Sequence, residues 1–339
     1  MTTTSANAHW VGQVREHFSE LEALHFKKDL NSALKVLQLS TNYTSKESLK
    51  AIDMLSKAGQ PISTRQIVGD HLAKEEYGNL FVKMWHGHLH KFITHDDVVV
   101  NEMLFLTRAV ISRSPDLAFA MGKSGALGLL LNQLKAPNVS VEKIEGDESV
   151  VNYVLVLIVI ILLAIYQCNE NRDIYRKANA ISILNPYVQR LQPSEKDTSR
   201  RLVKLGALLT LSYILNESET KTLEAADVKL CVVFMGLIHA KDANVKASIS
   251  KTGISTAMIL DGVNHVALLN DTNKINFVKM GMVPLLSKVL KTKHGSAASA
   301  VSFAEEEQIL AARGLWNLSF VESNRKVLRT NTDVVEGKW

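Results

Sequence analysis

Cysteine is almost absent from this 339-residue chain, which carries only Cys168 and Cys231, each inside an apolar stretch. A disulfide scaffold is excluded, and two packing thiols in a reducing compartment are expected, the cytosol first and the nucleus second. Glycine and proline are also few, at 17 and 6. An all-β chain needs a turn roughly every ten residues, so long helices are expected instead. No charge of one sign dominates. The 39 Lys and Arg against 34 Asp and Glu leave a net +5 spread along the length, a modest basic surface rather than a nucleic-acid-binding arm. The opening residues MTTTSANAHW hold no apolar signal core. The five Asn-x-Ser/Thr sequons at Asn42, Asn138, Asn216, Asn270 and Asn317 therefore carry no weight. What the chain does have is 46% hydrophobic and 22% charged residues, enough for a large core.

One long hydrophobic run stands out, the 17 residues from Val150 to Tyr166, which contain Asn152 and are closed by Gln167, Asn169, Glu170, Asn171 and Arg172. A bilayer span needs about 20 apolar residues. A helix apolar on every side is equally what a helix buried between neighbours looks like, and the buried reading is the expectation here.

Repetition supports it. Four segments share an apolar-x-apolar-apolar opening, beginning at Leu127, Ile181, Val228 and Val283, with separations of 54, 47 and 55 residues. Each is followed by a polar stretch and a longer apolar helix, expected over Val150 to Cys168, Arg200 to Leu215, Val245 to Leu269 and Glu305 to Val321. Asn171-Arg172, Asn273-Lys274 and Asn324-Arg325 then open a short helix. A helix-only period near 50 residues points to a solenoid whose units bury their apolar faces by stacking. Val98 to Ile111 and Leu117 to Met121 read as an earlier unit. Ser114-Pro115 reads as a helix cap, and Ser302 with Glu305 and Ser63 with Gln66 read as capping boxes. Residues 1–94 are helical but irregular, with candidates at Trp10 to Phe26, Leu30 to Leu39, Ser45 to Ala58 and Tyr77 to Ile93. They read as an N-terminal cap or degenerate repeats before an array over 95–339.

The last unit is where a family becomes visible. Its MGMVPLLSKVL followed by QILAARGLWNLSFVESNRKVL resembles an armadillo repeat, through the glycine before the second helix, the Leu-Trp-Asn-Leu-Ser signature, and Asn-Arg at the next first helix. The resemblance covers about residues 95 to 330. It implies an all-α, right-handed α-α superhelix of three-helix repeats, a non-catalytic scaffold binding protein partners through a concave groove or an exposed end. In the family, third-helix asparagines hydrogen-bond an extended peptide. Here only Asn317 matches, beside Trp316, while Thr210 takes the asparagine position in another unit and Arg313 stands where import adaptors place a groove tryptophan. The expected groove set is thus Arg313, Trp316, Asn317 and Thr210, with a specificity unlike that of a nuclear-import adaptor. The chain stops soon after Asn324-Arg325, so its C-terminal end is expected to meet a partner, a second copy, or a linked signalling domain such as a Toll/interleukin-receptor module. An array restraining such a domain, and sensing a ligand in the groove, is the alternative function.

Catalytic templates lack their anchors. There is no Gly-x-Ser-x-Gly elbow, His-Glu-x-x-His pair or Gly-x-Gly-x-x-Gly turn. Met121 to Gly128 imitates a phosphate loop, but the glycine a Walker motif needs is Leu117. Gly122, Gly125 and Gly128 are read as turn and packing glycines. His86 and His90, one helical turn apart, make a workable zinc pair and the only metal candidate, yet two ligands do not complete a site. Neither cofactor nor metal is expected, nor a membrane partner. Arg313, Arg200, Arg201 and Lys204 leave nucleic acid as a weak candidate, without aromatic-basic interleaving.

Overall fold

The computed structural model describes residues 20–88, 98–194, 197–222, 225–239, 253–291 and 298–330. Among them the chain is helical throughout, with no strand. In order, α1 is Glu20–Leu39, α2 Lys46–Gly59, α3 Arg65–Lys74, α4 Tyr77–His88, α5 Val98–Ile111, α6 Pro115–Lys123 and α7 Ala126–Gln133. Then come α8 Val141–Gly146, α9 Glu148–Gln167, α10 Asn171–Lys177, α11 Ala180–Gln189 and α12 Thr198–Ile214. The last are α13 Ala225–His239, α14 Thr256–Leu269, α15 Asp271–Lys279, α16 Met282–Lys291, α17 Ala298–Leu318 and α18 Glu322–Thr330. Short, medium and long helices follow one another in α10–α12, at 7, 10 and 17 residues, and in α15–α17, at 9, 10 and 21. This is an armadillo-like fold, in which a 3-10 turn at Glu217–Thr222 replaces one short first helix.

Contacts divide the chain into two compact units, 1–129 and 130–339, a boundary inside what the sequence reads as one array. In the first unit α2 packs on α5, while α3 packs on α6. In the second, the long third helices form a ladder, α9 on α12, α12 on α14, α14 on α17. The helix α9 is long and apolar enough to cross a membrane by length and composition. Instead 72% of its most apolar window is buried inside the protein, with Leu157 to Leu162 wholly enclosed. Its all-round apolarity is therefore the signature of a helix enclosed by its neighbours.

Two local devices set the repeat. The first is a left-handed residue between first and second helices, at Glu76, Gly125, Asn179 and Gly281, with φ of 56°, 85°, 59° and 88°. Glycine and asparagine suit that conformation; Glu76 adopts it at a steric cost of about 1–2 kcal/mol. The second device is the asparagine opening the first helix. Asn171 Nδ2 donates to Ala164 O at 2.9 Å, Asn273 Nδ2 to Val266 O at 3.0 Å, and Asn324 Nδ2 to Leu318 O at 3.0 Å. Each ties the first helix to a carbonyl in the last turn of the preceding third helix, and all three side chains are buried. Replacing Asn273 with alanine or with aspartate, which cannot donate, should lower stability by about 1–3 kcal/mol. Chemical denaturation followed by far-UV circular dichroism checks this, and an unchanged midpoint for both variants would contradict the capping role.

Ser114 caps α6 as expected, accepting from Leu117 N at 3.1 Å. Several boundaries differ from the sequence reading. The two expected helices ending at Phe26 and starting at Leu30 are one, α1, and Trp10 lies outside the described residues. The third helix expected from Val245 starts at Thr256, because Ser255 caps it by accepting from Met258 N at 3.2 Å. Residues 240–252 lie outside the described set. At α3 the cap position is Thr64, not Ser63, and its hydroxyl donates to Ala58 O and Pro61 O instead of accepting from the helix. The Ser302–Glu305 box is not a cap either: α17 begins at Ala298, so both residues are inside the helix and Glu305 to Glu307 do not sit at its start.

Candidate functional site

The third-helix ladder of the second unit carries a polar cluster that no local motif announces. The Tyr166 hydroxyl, near the end of α9, donates to Glu306 Oε1 on α17 at 2.6 Å. That bond joins the first and fourth rungs past the two between them. Under it, the Tyr213 hydroxyl of α12 donates to Asp261 Oδ2 of α14 at 2.7 Å, and its ring lies 4.4 Å from that of His265. Asp261 also faces His265 Nε2 at 3.8 Å and Arg313 Nη1 at 4.0 Å. Arg172 donates to the carbonyls of Ile214 and Leu215, which end α12.

Burial pushes the Tyr213 hydroxyl far above the ordinary phenol range, and the neighbouring Asp261 charge adds to it. For His265 burial lowers the pKa; Asp261 opposes this, while Arg313 and Arg172 reinforce it. The imidazole is therefore neutral near pH 7, held between a carboxylate and two guanidiniums. The two thiols are poor nucleophiles, with burial raising Cys231 to about 12 and Cys168 to about 11.

This closure corrects two expected groove residues. Thr210 is wholly buried, and its hydroxyl donates to Gly206 O at 2.8 Å within its own helix. Every residue of α12 from Leu202 to Ile214 is buried, and only residues 198–201 at its start are partly accessible. Asn317 is 1% exposed, with Nδ2 donating to Asn264 Oδ1 at 3.0 Å. Asn264 Nδ2 in turn donates to Leu310 O at 3.0 Å, so the asparagine fastens α17 to α14. The other two expected residues are accessible. Trp316 is 63% exposed, and the Arg313 side chain 48%. They lie beside Ile309 of α17 and Phe320 of the turn that follows it, 68% and 53% exposed, and the Trp316 and Phe320 rings meet edge to face at 4.8 Å.

The remaining basic candidates are engaged. Arg200 donates to Ile144 O, Asp197 and Glu148, and Lys204 is buried against Asp227 at 3.5 Å. Neither is a free cation for a phosphate backbone. In the pseudo phosphate loop, Lys123 Nζ sits 4.5 Å above the Phe119 ring, and Gly125 makes the turn its φ of 85° requires. His86 is exposed on α4, while His90 lies outside the described residues. Among the described residues no group of three His, Cys, Asp or Glu is placed to hold a metal.

No protein-family model matches the chain, and no curated protein matches it. Solved structures do. A designed armadillo repeat protein is 16% identical over 85% of this chain and 99% of its own, with a TM-score of 0.48. A designed armadillo repeat protein in complex with the peptide (KR)4 is 16% identical over 83% of this chain and 99% of its own, with a TM-score of 0.47. Computationally designed armadillo repeat proteins for modular peptide recognition are 18% identical over 85% of this chain and 99% of theirs, with a TM-score of 0.44.

Proposed function

We propose that this chain is a protein-binding scaffold, and that the stripe made by Ile309, Arg313 and Trp316 of α17 with Phe320 of the following turn receives an acidic segment of a partner carrying apolar side chains. The observation that carries this reading is the exposed Trp316–Phe320 pair. Two large aromatic rings left in water side by side form the kind of apolar patch that marks an interface, and tryptophan and arginine are among the side chains most enriched in binding hot spots. The surrounding charge favours an acidic occupant. Arg313 faces Asp261 at 4.0 Å and Glu305 and Glu306 precede Ile309, but beyond them residues 314–330 hold Arg325, Lys326 and Arg329 against the single carboxylate Glu322. Arg325 and Lys326 are exposed, and Arg325 is steadied by its bond to Ser319 O at 2.9 Å. The stripe combines an apolar centre with a cationic rim.

The test is selection of peptides from a displayed library on the whole chain. Sequences combining aromatic or branched apolar residues with Asp and Glu are expected. Trp316→Ala with Phe320→Ala should weaken their binding by roughly a hundredfold with the circular dichroism spectrum unchanged. Three outcomes would each overturn the assignment: selected peptides without acidic residues, binding indifferent to the double substitution, or self-association of the chain through this stripe.

A further inference from the structure

We propose that the cleft between α1 and α3, in the first unit, binds a ligand bearing clustered phosphate groups. The cleft has a volume of about 520 Å³ and is lined by Lys27, Lys28, Asn31, Ser32 and Lys35 of α1 and His71 of α3. The α1 residues fall at i, i+1, i+4, i+5 and i+8, one polar face, opposite the buried Leu30, Ala33, Leu34 and Leu37. A solvated helix face ordinarily mixes charge signs. Here the six lining residues contribute three ammonium groups and no carboxylate, and no ion pair among the described residues engages them.

The second helix turns that face into a site. The His71 Nε2–H donates to Asn31 Oδ1 at 2.7 Å, fixing the ring beside the lysines and spanning the cleft. Burial lowers the His71 pKa, Glu75 opposes this, and Lys27 and Lys74 lower it further, so a cleft lysine lies within electrostatic reach of the ring. A concave wall with one sign of charge concentrates counter-ions, and the bound anion would gain charge-assisted hydrogen bonds from lysine. Lys27 and Lys35 lie eight residues apart, about 12 Å along the helix at about 1.5 Å per residue, too far for one phosphate to bridge. A chain of phosphates, or several on one headgroup, matches the spacing. Between them Asn31 Nδ2 supplies a neutral donor, while the Ser32 hydroxyl donates to Lys28 O at 2.9 Å and can accept.

Calorimetric titration of the whole chain with tripolyphosphate, beside flotation with phosphatidylcholine vesicles doped with a phosphoinositide, tests this. Saturable binding is expected in at least one arm; the free anion alone indicates a soluble polyphosphate, the vesicles alone a lipid headgroup. Lys27→Gln with Lys35→Gln should weaken that binding by roughly tenfold or more, whereas Lys46→Gln with Lys50→Gln, an equal charge change on the exposed face of α2, should leave it intact. Ligand should also raise the His71 imidazole pKa followed by NMR, because a nearby anion favours the charged ring. Absence of saturable binding in both arms, equal losses in the two double variants, or a His71 titration indifferent to ligand would overturn the proposal.

Discussion

Replacing Asp227 with alanine is expected to lower the stability of the second unit by about 3–5 kcal/mol, the usual effect of breaking a buried ion pair from one side. Lys204 Nζ lies 3.5 Å from Asp227 Oδ1, with side chains only 8% and 5% exposed. Two opposing terms decide the size. The attraction between the charges is strong in this setting, but both were stripped of water to make it. Removing the carboxylate leaves the ammonium desolvated in the middle of α12, among thirteen consecutive buried residues. The same argument makes the reverse prediction for the pair. Lys204→Met with Asp227→Leu should be close to neutral or stabilising, since neither charge remains to be desolvated. Hydrogen exchange across α12 and α13 is the proper measurement, because a repeat array can open one unit at a time. Similar protection in Asp227→Ala and the unaltered chain would show that the pair is solvated and weak.

That pair illustrates what the sequence disclosed and what it concealed. The third helix over Val98 to Ile111 coincides with α5, and the Asn171, Asn273 and Asn324 positions mark first-helix starts. These signals are local: an apolar period near 3.6 and a side chain acting on a carbonyl six or seven residues away. Lys204 reads as a free cation in the sequence because a lone lysine in an apolar helix says nothing about a carboxylate 23 residues on. Thr210 and Asn317 point outward only by resemblance to units whose third helices face an open groove. Here Tyr166 and Glu306 bridge rungs one and four, a contact across 140 residues that no window reveals. The tyrosines at the ends of α9 and α12, and the like-charged residues at i, i+1 and i+8 on α1, give no local signal, because each residue alone reads as ordinary surface or core.

A further recurrence was legible and is structural in meaning: glycine inside three successive third helices, at Gly206, Gly262 and Gly314. A Cβ at Gly206 would come within 2.7 Å of Ile158 Cγ2 on α9, yet 4.0 Å from Ile158 Cβ. The corresponding atom at Gly262 would meet Leu209 of α12, and at Gly314 it would meet Leu286 and Asn264. Each glycine thus admits a neighbouring side chain against its backbone and sets the rung spacing. Gly206→Ala gains about 0.5–1 kcal/mol of helix propensity, but Ile158 is fully enclosed and has nowhere to move. Overpacking of about 1–3 kcal/mol should therefore win, and the variant should be destabilised. Ile158→Ala alone should lose about 2–5 kcal/mol through its cavity. Combined, the alanine at 206 occupies space the isoleucine vacated, at the ordinary contact distance from the remaining Cβ. The double variant should therefore be more stable than the sum of the two losses by about 1 kcal/mol or more, outside the few tenths seen for independent sites. Denaturation midpoints of the four proteins in the cycle decide it. Strict additivity would mean that α9 and α12 are not held at this distance, and that the Tyr166–Glu306 bridge depends on something other than the close approach of the rungs.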